Sequence, residues 1–315
     1  MPSASPPPKL PRRRLPQLIA CSVAVLGGLL LAAAVLIFVQ SERRLRRDYA
    51  LKPMLGGADA VLRTEGRLLA LTRGCADCHG ADFGGHVIAD EMPFARLVGD
   101  NLTRMPRGHE DRSVHERMYR ALHHGVDLDS RPLLMMPSKE YSTLSAREIE
   151  ALAAYFASLA PIERTVPDSR LGPLGRTLLV AGQLEGFLSA EAIDHGTPAI
   201  AEPPPRGTLA YGRHTAQLCT GCHRGDFGGG RMSHGGPAAP PAANLTAHAT
   251  GLAHWNEADF LAAMRSGRRP DGSRINGKFM PWQTFGRADA DELRAIWSYL
   301  RSLPPVQRDV HAEQP

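Results

Sequence analysis

The pentapeptide Cys75-Ala76-Asp77-Cys78-His79 returns 144 residues later as Cys219-Thr220-Gly221-Cys222-His223. Its landmarks return with it at the same offset: Asp82-Phe83-Gly84-Gly85 as Asp226-Phe227-Gly228-Gly229, Met136-Pro137 as Met280-Pro281, and Tyr155 as Tyr299. Asn101-Leu102-Thr103 returns as Asn244-Leu245-Thr246 at 143, so small insertions and deletions cancel between landmarks. A register held over this distance marks an internal duplication and implies two homologous domains.

Each copy shows the same coarse pattern. A helical run leads into the cysteine motif (59–73; 207–218), a glycine-rich loop follows, and a second helix is predicted near 113–124 or 256–266. The final helix is announced by Ser145-Ala146-Arg147-Glu148, a capping-box sequence, and by Asp289 with Glu292 at the same spacing. Ile149, Leu152, Ala153 and Phe156 recur at helical spacing, as do Leu293, Ile296, Trp297 and Leu300. Strand alternation is weak throughout, so the expected fold class is all-α. The predicted units are a tail and anchor over 1–52, domains over 53–165 and 207–315, and an interdomain linker over 166–206. Gly172, Pro173, Gly175 and Pro203-Pro204-Pro205 mark the linker, although 177–192 is apolar enough to pack on a domain. Residues 1–16 and 306–315 read as unstructured tails.

Cys-x-x-Cys-His is the attachment signature of c-type haem. Two cysteines about one helical turn apart each add to a haem vinyl group as a thioether, and the adjacent histidine then lies against the iron. This makes Cys75, Cys78, Cys219 and Cys222 the predicted covalent anchors of two haem c groups, with His79 and His223 as one axial ligand each. A four-thiolate zinc site would use the same cysteines but leaves both histidines and the Met-Pro pairs unexplained. A thioredoxin-like pair lacks its βαβ context. The second axial position calls for a soft thioether or another imidazole. Met136 and Met280 each follow their motif histidine by 57 residues, with a proline next in line to stiffen the turn. A lone methionine is ordinarily core packing, and the doubled register is what makes these two the predicted ligands. Met135 competes for the first iron. Met92-Pro93 and Met105-Pro106 have no counterpart in the second copy, and none of the eleven remaining histidines repeats in register. Trp255 and Trp282 read mainly as packing around the second pocket. Asn101 and Asn244 read as orienting groups for a loop or propionate, or as simple turn residues.

From Leu18 to Val39 the chain has 22 residues without a formal charge. At about 1.5 Å per residue such a helix crosses a hydrocarbon core of roughly 30 Å. The rival reading, a cleaved signal with a site near Ala32-Ala33-Ala34, is opposed by the apolar run through Val39. Flanking charge does not orient the span, because Lys9, Arg12, Arg13 and Arg14 face Arg43, Arg44, Arg46, Arg47 and Lys52. The whole chain is basic, with 37 Lys and Arg against 32 Asp and Glu and a pI near 9.1. Residues 1–52 hold nine of the basic and two of the acidic residues, leaving 28 against 30 beyond them. The basic excess therefore belongs to the anchor and gives no argument for nucleic-acid binding.

The repeat resembles the class I cytochrome c fold, and more closely the cytochrome c subunits of membrane-bound bacterial dehydrogenases. Cys219-Thr220-Gly221-Cys222-His223, Asn244-Leu245-Thr246, Trp255 with Asp259-Phe260, Met280-Pro281 and the ending from Trp297 to Val306 carry the resemblance. It departs from the family in haem number, since such subunits often carry three and this chain has motifs for two. The resemblance implies haem attachment outside the bacterial inner membrane, a cytoplasmic residue 1–17 segment, and haem domains in the periplasm. It also implies an electron carrier, not an enzyme, that receives electrons from a dehydrogenase and passes them to a terminal oxidase or soluble cytochrome. The alternatives are a dihaem peroxidase, opposed by the equivalence of the two Met-Pro sites, and the c-type subunit of a haem-copper oxidase.

Overall fold

The computed structural model describes residues 14–51, 60–232 and 239–310. The start of the first domain at 53, the tail ends at 1–13 and 311–315, and His234 lie outside the described residues. Helix α1 (Arg14–Leu45) carries the apolar run, and its large side chains from Leu18 to Phe38 are exposed. Its length and hydropathy suffice to cross a membrane. The far end of α1 is docked on the body of the protein. Arg176 pairs with Glu42 at 2.7 Å and donates to Ser41 Oγ at 2.9 Å, and Arg44 pairs with Glu191 at 2.6 Å.

The first domain runs α2 (Ala60–Thr72), α3 (Cys75–His79), β1 (His86–Glu91), β2 (Ala95–Gly99), α4 (Val114–Tyr119) with a wider helical turn through His124, α5 (Ser138–Tyr141) and α6 (Ala146–Ala157). Next come β3 (Arg170–Leu171) and α7 (Pro173–Val180), then the second domain: α8 (Leu209–Ala216), α9 (Thr220–His223), α10 (Glu257–Ser266), α11 (Trp282–Phe285) and α12 (Ala290–Ser302). In each domain the entry helix crosses the final helix at a glycine. A Cβ on Gly66 would lie 1.8 Å from the Ala151 carbonyl oxygen, and one on Gly212 would lie 2.0 Å from that of Ala295. Only glycine lets the helices approach so closely. Leu69, Leu152 and Phe156 centre one core, and Leu293, Trp297 and Leu300 the other.

Two expectations need correction, the all-α class and the free tail. The chain is not all-α: β1 and β2 form an antiparallel hairpin, and β3 pairs with β2 to make a three-stranded sheet. In β2, Ala95, Leu97 and Gly99 face inward between half-buried Arg96 and Val98. Five residues with such small inward side chains give a weak sequence pattern, and the repeat did not flag it because, among the described residues, the corresponding stretch of the second copy has a single bridge, Gly230 to Ala242. The apolar part of the 166–206 stretch does pack. Leu171, Leu179, Phe187 and Leu188 bury against Ala95 and Leu97, forming a third small core that only exists once the hairpin is made. The tail after α12 is not free up to 310. Val306 N–H donates to Thr246 Oγ1 at 3.0 Å, Arg308 pairs with Asp226 at 3.0 Å, and Val310 is buried.

Candidate functional site

Both cysteine motifs form a single helical turn held open at its ends. Gly74 before the first and Gly80 after it have left-handed backbone, φ 84° and 83°. The chain then folds under the motif: Gly85 N–H donates to the His79 carbonyl at 2.9 Å, and Gly229 N–H to that of His223 at 3.1 Å. Gly85 and Gly229 have φ of 79° and 72°, and a Cβ on either would fall within 2.7 Å or less of backbone atoms. Asp82 and Asp226 accept from the N–H two residues on, and the intervening Phe83 and Phe227 enter their cores with ring edges against Phe156 and Tyr299. The glycine-rich repeat is therefore a turn that seats an aromatic plug under each motif.

The motif histidines are oriented identically. His79 Nδ1 lies 2.8 Å from the Asp100 carbonyl oxygen, and His223 Nδ1 lies 2.7 Å from that of Ala243. A carbonyl only accepts, so the proton belongs on Nδ1 and the Nε2 lone pair is free to bind a metal. Burial lowers the basicity of both imidazoles, against the opposing pull of the carbonyl. The accepting carbonyls are pinned by the Asn-Leu-Thr repeats that follow them. Asn101 Oδ1 accepts from Thr103 N–H and Oγ1, while its Nδ2 donates to the Ile162 carbonyl at 2.8 Å. Asn244 does the same with Thr246 and donates to the Val306 carbonyl at 2.8 Å. These asparagines tie the histidine's acceptor to the strap that follows the final helix.

Sequence reasoning missed that strap, though its signal was present. Arg164 and Arg308 also stand 144 apart, and they pair with Asp82 at 2.8 Å and Asp226 at 3.0 Å. Hydrogen bonding from Arg164 holds the Asp82 carboxyl at about 2, below its usual 3.8, and Arg308 lowers Asp226 likewise. Because the folded value lies below the unfolded one, the stabilisation is complete above about pH 4 and is lost as pH falls towards about 2. Limited proteolysis between these pH values with an acid-active protease should show the 162–165 and 306–310 straps opening, and Asp82→Asn should move the first opening to neutral pH.

In the first domain Cys75, Cys78, His79, Met136, Pro137 and Tyr141 line one cavity of about 640 Å³. Its walls are largely aliphatic, with Arg107, Arg117 and Arg131 among the lining residues. The cysteine thiols are uncharged at neutral pH, since burial pushes Cys75 and Cys219 up to about 12 and raises Cys78 and Cys222. The two Met-Pro turns have matching geometry. Ser138 N–H donates to the Met136 carbonyl at 2.8 Å, Trp282 N–H to that of Met280 at 2.7 Å, and the prolines have φ/ψ of −78°/52° and −75°/60°. Met136 packs on the core of the first domain and Met280 on that of the second. Met135 also borders the cavity but packs into the small core with Phe187, whose carbonyl accepts from Met135 N–H at 2.8 Å. Met92 is exposed. The Trp282 indole donates to the Ile275 carbonyl at 3.2 Å. Among the described residues, the two cysteine pairs do not join as a metal-holding cluster. A large, mainly apolar cavity, half-buried neutral thiols along it, a histidine with its Nε2 left free and guanidinium groups among the lining residues fit a covalently held haem with anionic propionates.

The fold and site define cytochrome c domains. Residues 209–304 match the family described as cytochrome c, and residues 65–156 match that described as cytochrome c oxidase, cbb3-type, subunit III. The chain thus carries two cytochrome c domains, which hold two covalently bound haem c groups. It is similar to the cytochrome c subunit of alcohol dehydrogenase (quinone) from Gluconacetobacter polyoxogenes, 27% identical over 279 residues, covering 79% of this chain and 57% of that subunit. The corresponding subunit of Gluconobacter oxydans is 25% identical, with 79% and 56% covered. A nicotinate dehydrogenase subunit of Pseudomonas putida is 30% identical over 149 residues, covering 43% of this chain and 12% of that protein. The chain spans a little over half the length of the quinone alcohol dehydrogenase subunits it matches.

Proposed function

We propose that the chain is a membrane-anchored dihaem electron carrier serving a dehydrogenase, with both haem domains in the periplasm. The observation that carries this reading is the duplicated site: in both halves a histidine has its Nδ1 tied to a carbonyl, and a Met-Pro turn of matching shape packs its methionine on the core of the same domain. Cys75 and Cys78 anchor the first haem and Cys219 and Cys222 the second. His79 and His223 would bind iron through Nε2, and Met136 and Met280 would supply the second protein ligand in each domain. Bound haem supplies an iron that takes up and releases one electron. The protein's part would be to supply both ligands to each iron, exclude water with the surrounding aliphatic walls and hold a high potential through the thioether. Closed coordination leaves no place for substrate, which suits a carrier and not an enzyme. Helix α1 is the anchor, and its ion pairs with Arg176 and Glu191 of the 166–206 stretch would hold the body of the protein at the membrane surface. The relatives named as dehydrogenase subunits support a dehydrogenase as donor.

A redox titration of the full chain tests the assignment. Wild type should contain two low-spin haems, with a methionine-to-iron absorption band that integrates to both. Met280→Ala should halve that band and lower one potential by on the order of a tenth of a volt or more, within the roughly 0.8 V range that axial ligands control. A high-spin signal from one haem in wild type would overturn the closed-carrier reading. Copurification with a dehydrogenase, as against a haem-copper oxidase, distinguishes the donor assignment from the oxidase-subunit alternative that the match of residues 65–156 favours.

A further inference from the structure

Contact between helix α1 and the rest of the chain begins inside the apolar run. Every residue from 18 to 40 is exposed except Ile37, which is half-buried. The Arg176 guanidinium lies over the Phe38 ring at 5.0 Å from its centroid and pairs with Glu42 at 2.7 Å. Three residues further along α7, the Leu179 carbonyl accepts from Arg44 Nη1 at 2.5 Å. Helix α7 therefore runs beside the end of α1 in the same direction, with its C-terminus pointing away from the span. Its first turn, Pro173-Leu174, lies about 3–5 Å back from Arg176 at roughly 1.5 Å per residue, level with the last apolar residues of α1.

The turn between β1 and β2 is laced to that first helical turn. Gly172 N–H donates to the Phe94 carbonyl at 2.7 Å, and Leu174 N–H to the Pro93 carbonyl at 3.1 Å. A Cβ on Gly172 would fall 2.1 Å from the Pro93 oxygen, so only glycine admits the contact. Met92, Pro93, Pro173 and Leu174 make the outer surface of this corner, with Met92 45% and Leu174 47% exposed. Hairpin turns that face water favour Gly, Asn and Asp, and this one is apolar. Its backbone also suits a dry medium. The two prolines have no N–H, Phe94 N–H donates to the Glu91 carbonyl at 2.8 Å, and the Leu174 N–H, which a helix start ordinarily leaves to water, is taken by Pro93. Lipid demands such internal satisfaction of polar groups. The charges nearby stand at the rim, where Asp90 pairs with Arg96 at 2.9 Å and Glu91 is exposed.

From this placement we infer that the corner formed by Met92, Pro93, Pro173 and Leu174 is a second membrane contact, seated at the boundary between headgroups and acyl chains of the bilayer that α1 crosses. The occupant is lipid, because the corner continues the apolar surface of the span at the same level. The inference rests on the reading of α1 as an anchor. A single helix leaves the body free to swing, whereas a helix and a seated corner fix the tilt of the first domain on the membrane.

The test uses the full haem-loaded chain in phosphatidylcholine vesicles containing a phospholipid with a diazirine on its acyl chain. After illumination and proteolysis, lipid adducts mapped by mass spectrometry should fall on α1 and on the segments holding Met92 and Leu174. The exposed stretch 181–183, about 10 Å further along α7 at roughly 1.5 Å per residue, should be labelled severalfold less. Leu174→Glu sets a carboxylate in the first turn of α7, where the helix dipole favours it and the fold is kept. It should cut labelling of both segments severalfold and leave that of α1 unchanged. Adducts confined to α1, equal labelling of Leu174 and 181–183, or labelling that Leu174→Glu does not alter would each overturn the inference while leaving the anchor reading intact. A chain without adducts on α1 would overturn both.

Discussion

Joint replacement of Cys219 and Cys222 by serine is expected to give a chain with one covalently bound haem in place of two. The thioether bonds require thiols, and serine retains the shape without the sulfur chemistry. The second domain should lose more than its cofactor. Met280, Trp255 and Leu245 pack around its core without being fully buried, so removing the haem exposes an apolar wall to water. The first domain has its own core and its own cavity, and should keep its haem. Haem stain after denaturing electrophoresis, together with the haem-to-protein ratio, reads the result. A double-serine chain that still carries two covalent haems would refute the assignment of these cysteines.

Glu292→Ala is the second large effect. The substitution strands the Arg73 guanidinium, whose charge burial disfavours and Glu292 sustains, and also removes the acceptor of the Tyr211 hydroxyl at 2.9 Å. Removing one partner of a buried pair costs about 3–5 kcal/mol, because the other charge remains in the interior unpaired. Arg73→Met combined with Glu292→Leu removes both charges and should restore most of that stability, since a packed apolar pair is commonly neutral or better. Calorimetry of the holoprotein separates the two cases. Equal losses in the single and double variants would mean that the ion pair matters only as volume.

The two glutamates show how far sequence patterns reach. Ser145 with Glu148 reads as a capping box, and in the structure both halves are made: Glu148 N–H donates to Ser145 Oγ at 3.2 Å and Ser145 N–H to Glu148 Oε2 at 2.9 Å. Asp289 with Glu292 has the same spacing, yet only the Asp289 half forms, at 2.8 Å from Glu292 N–H. The Glu292 carboxylate is committed to Arg73, 219 residues away. Local spacing announces that a helix begins, but cannot reveal a second use for a side chain across a domain boundary.

The hairpin makes the same point for secondary structure. Ala95 and Leu97 form an inward face only because Leu171, Leu179 and Phe187 fold back to cover it. Residues 166–206 looked like connecting chain because proline and glycine mark both ends, while the apolar middle had no visible partner.

The sequence by itself determined the duplication, the four cysteines and two histidines of the attachment motifs, the repeated Met-Pro pairs and the apolar helix, because each depends on spacing along the chain. Tertiary structure decided what the spacing leaves open. It placed Met136 and Met135 in different cores, revealed the carbonyls of Asp100 and Ala243 that orient the histidines, and set Glu148 and Glu292 in ion pairs that join the two domains. These properties arise from which surfaces meet after folding, and residues separated by up to 219 positions carry no mark of that meeting until the chain is compact.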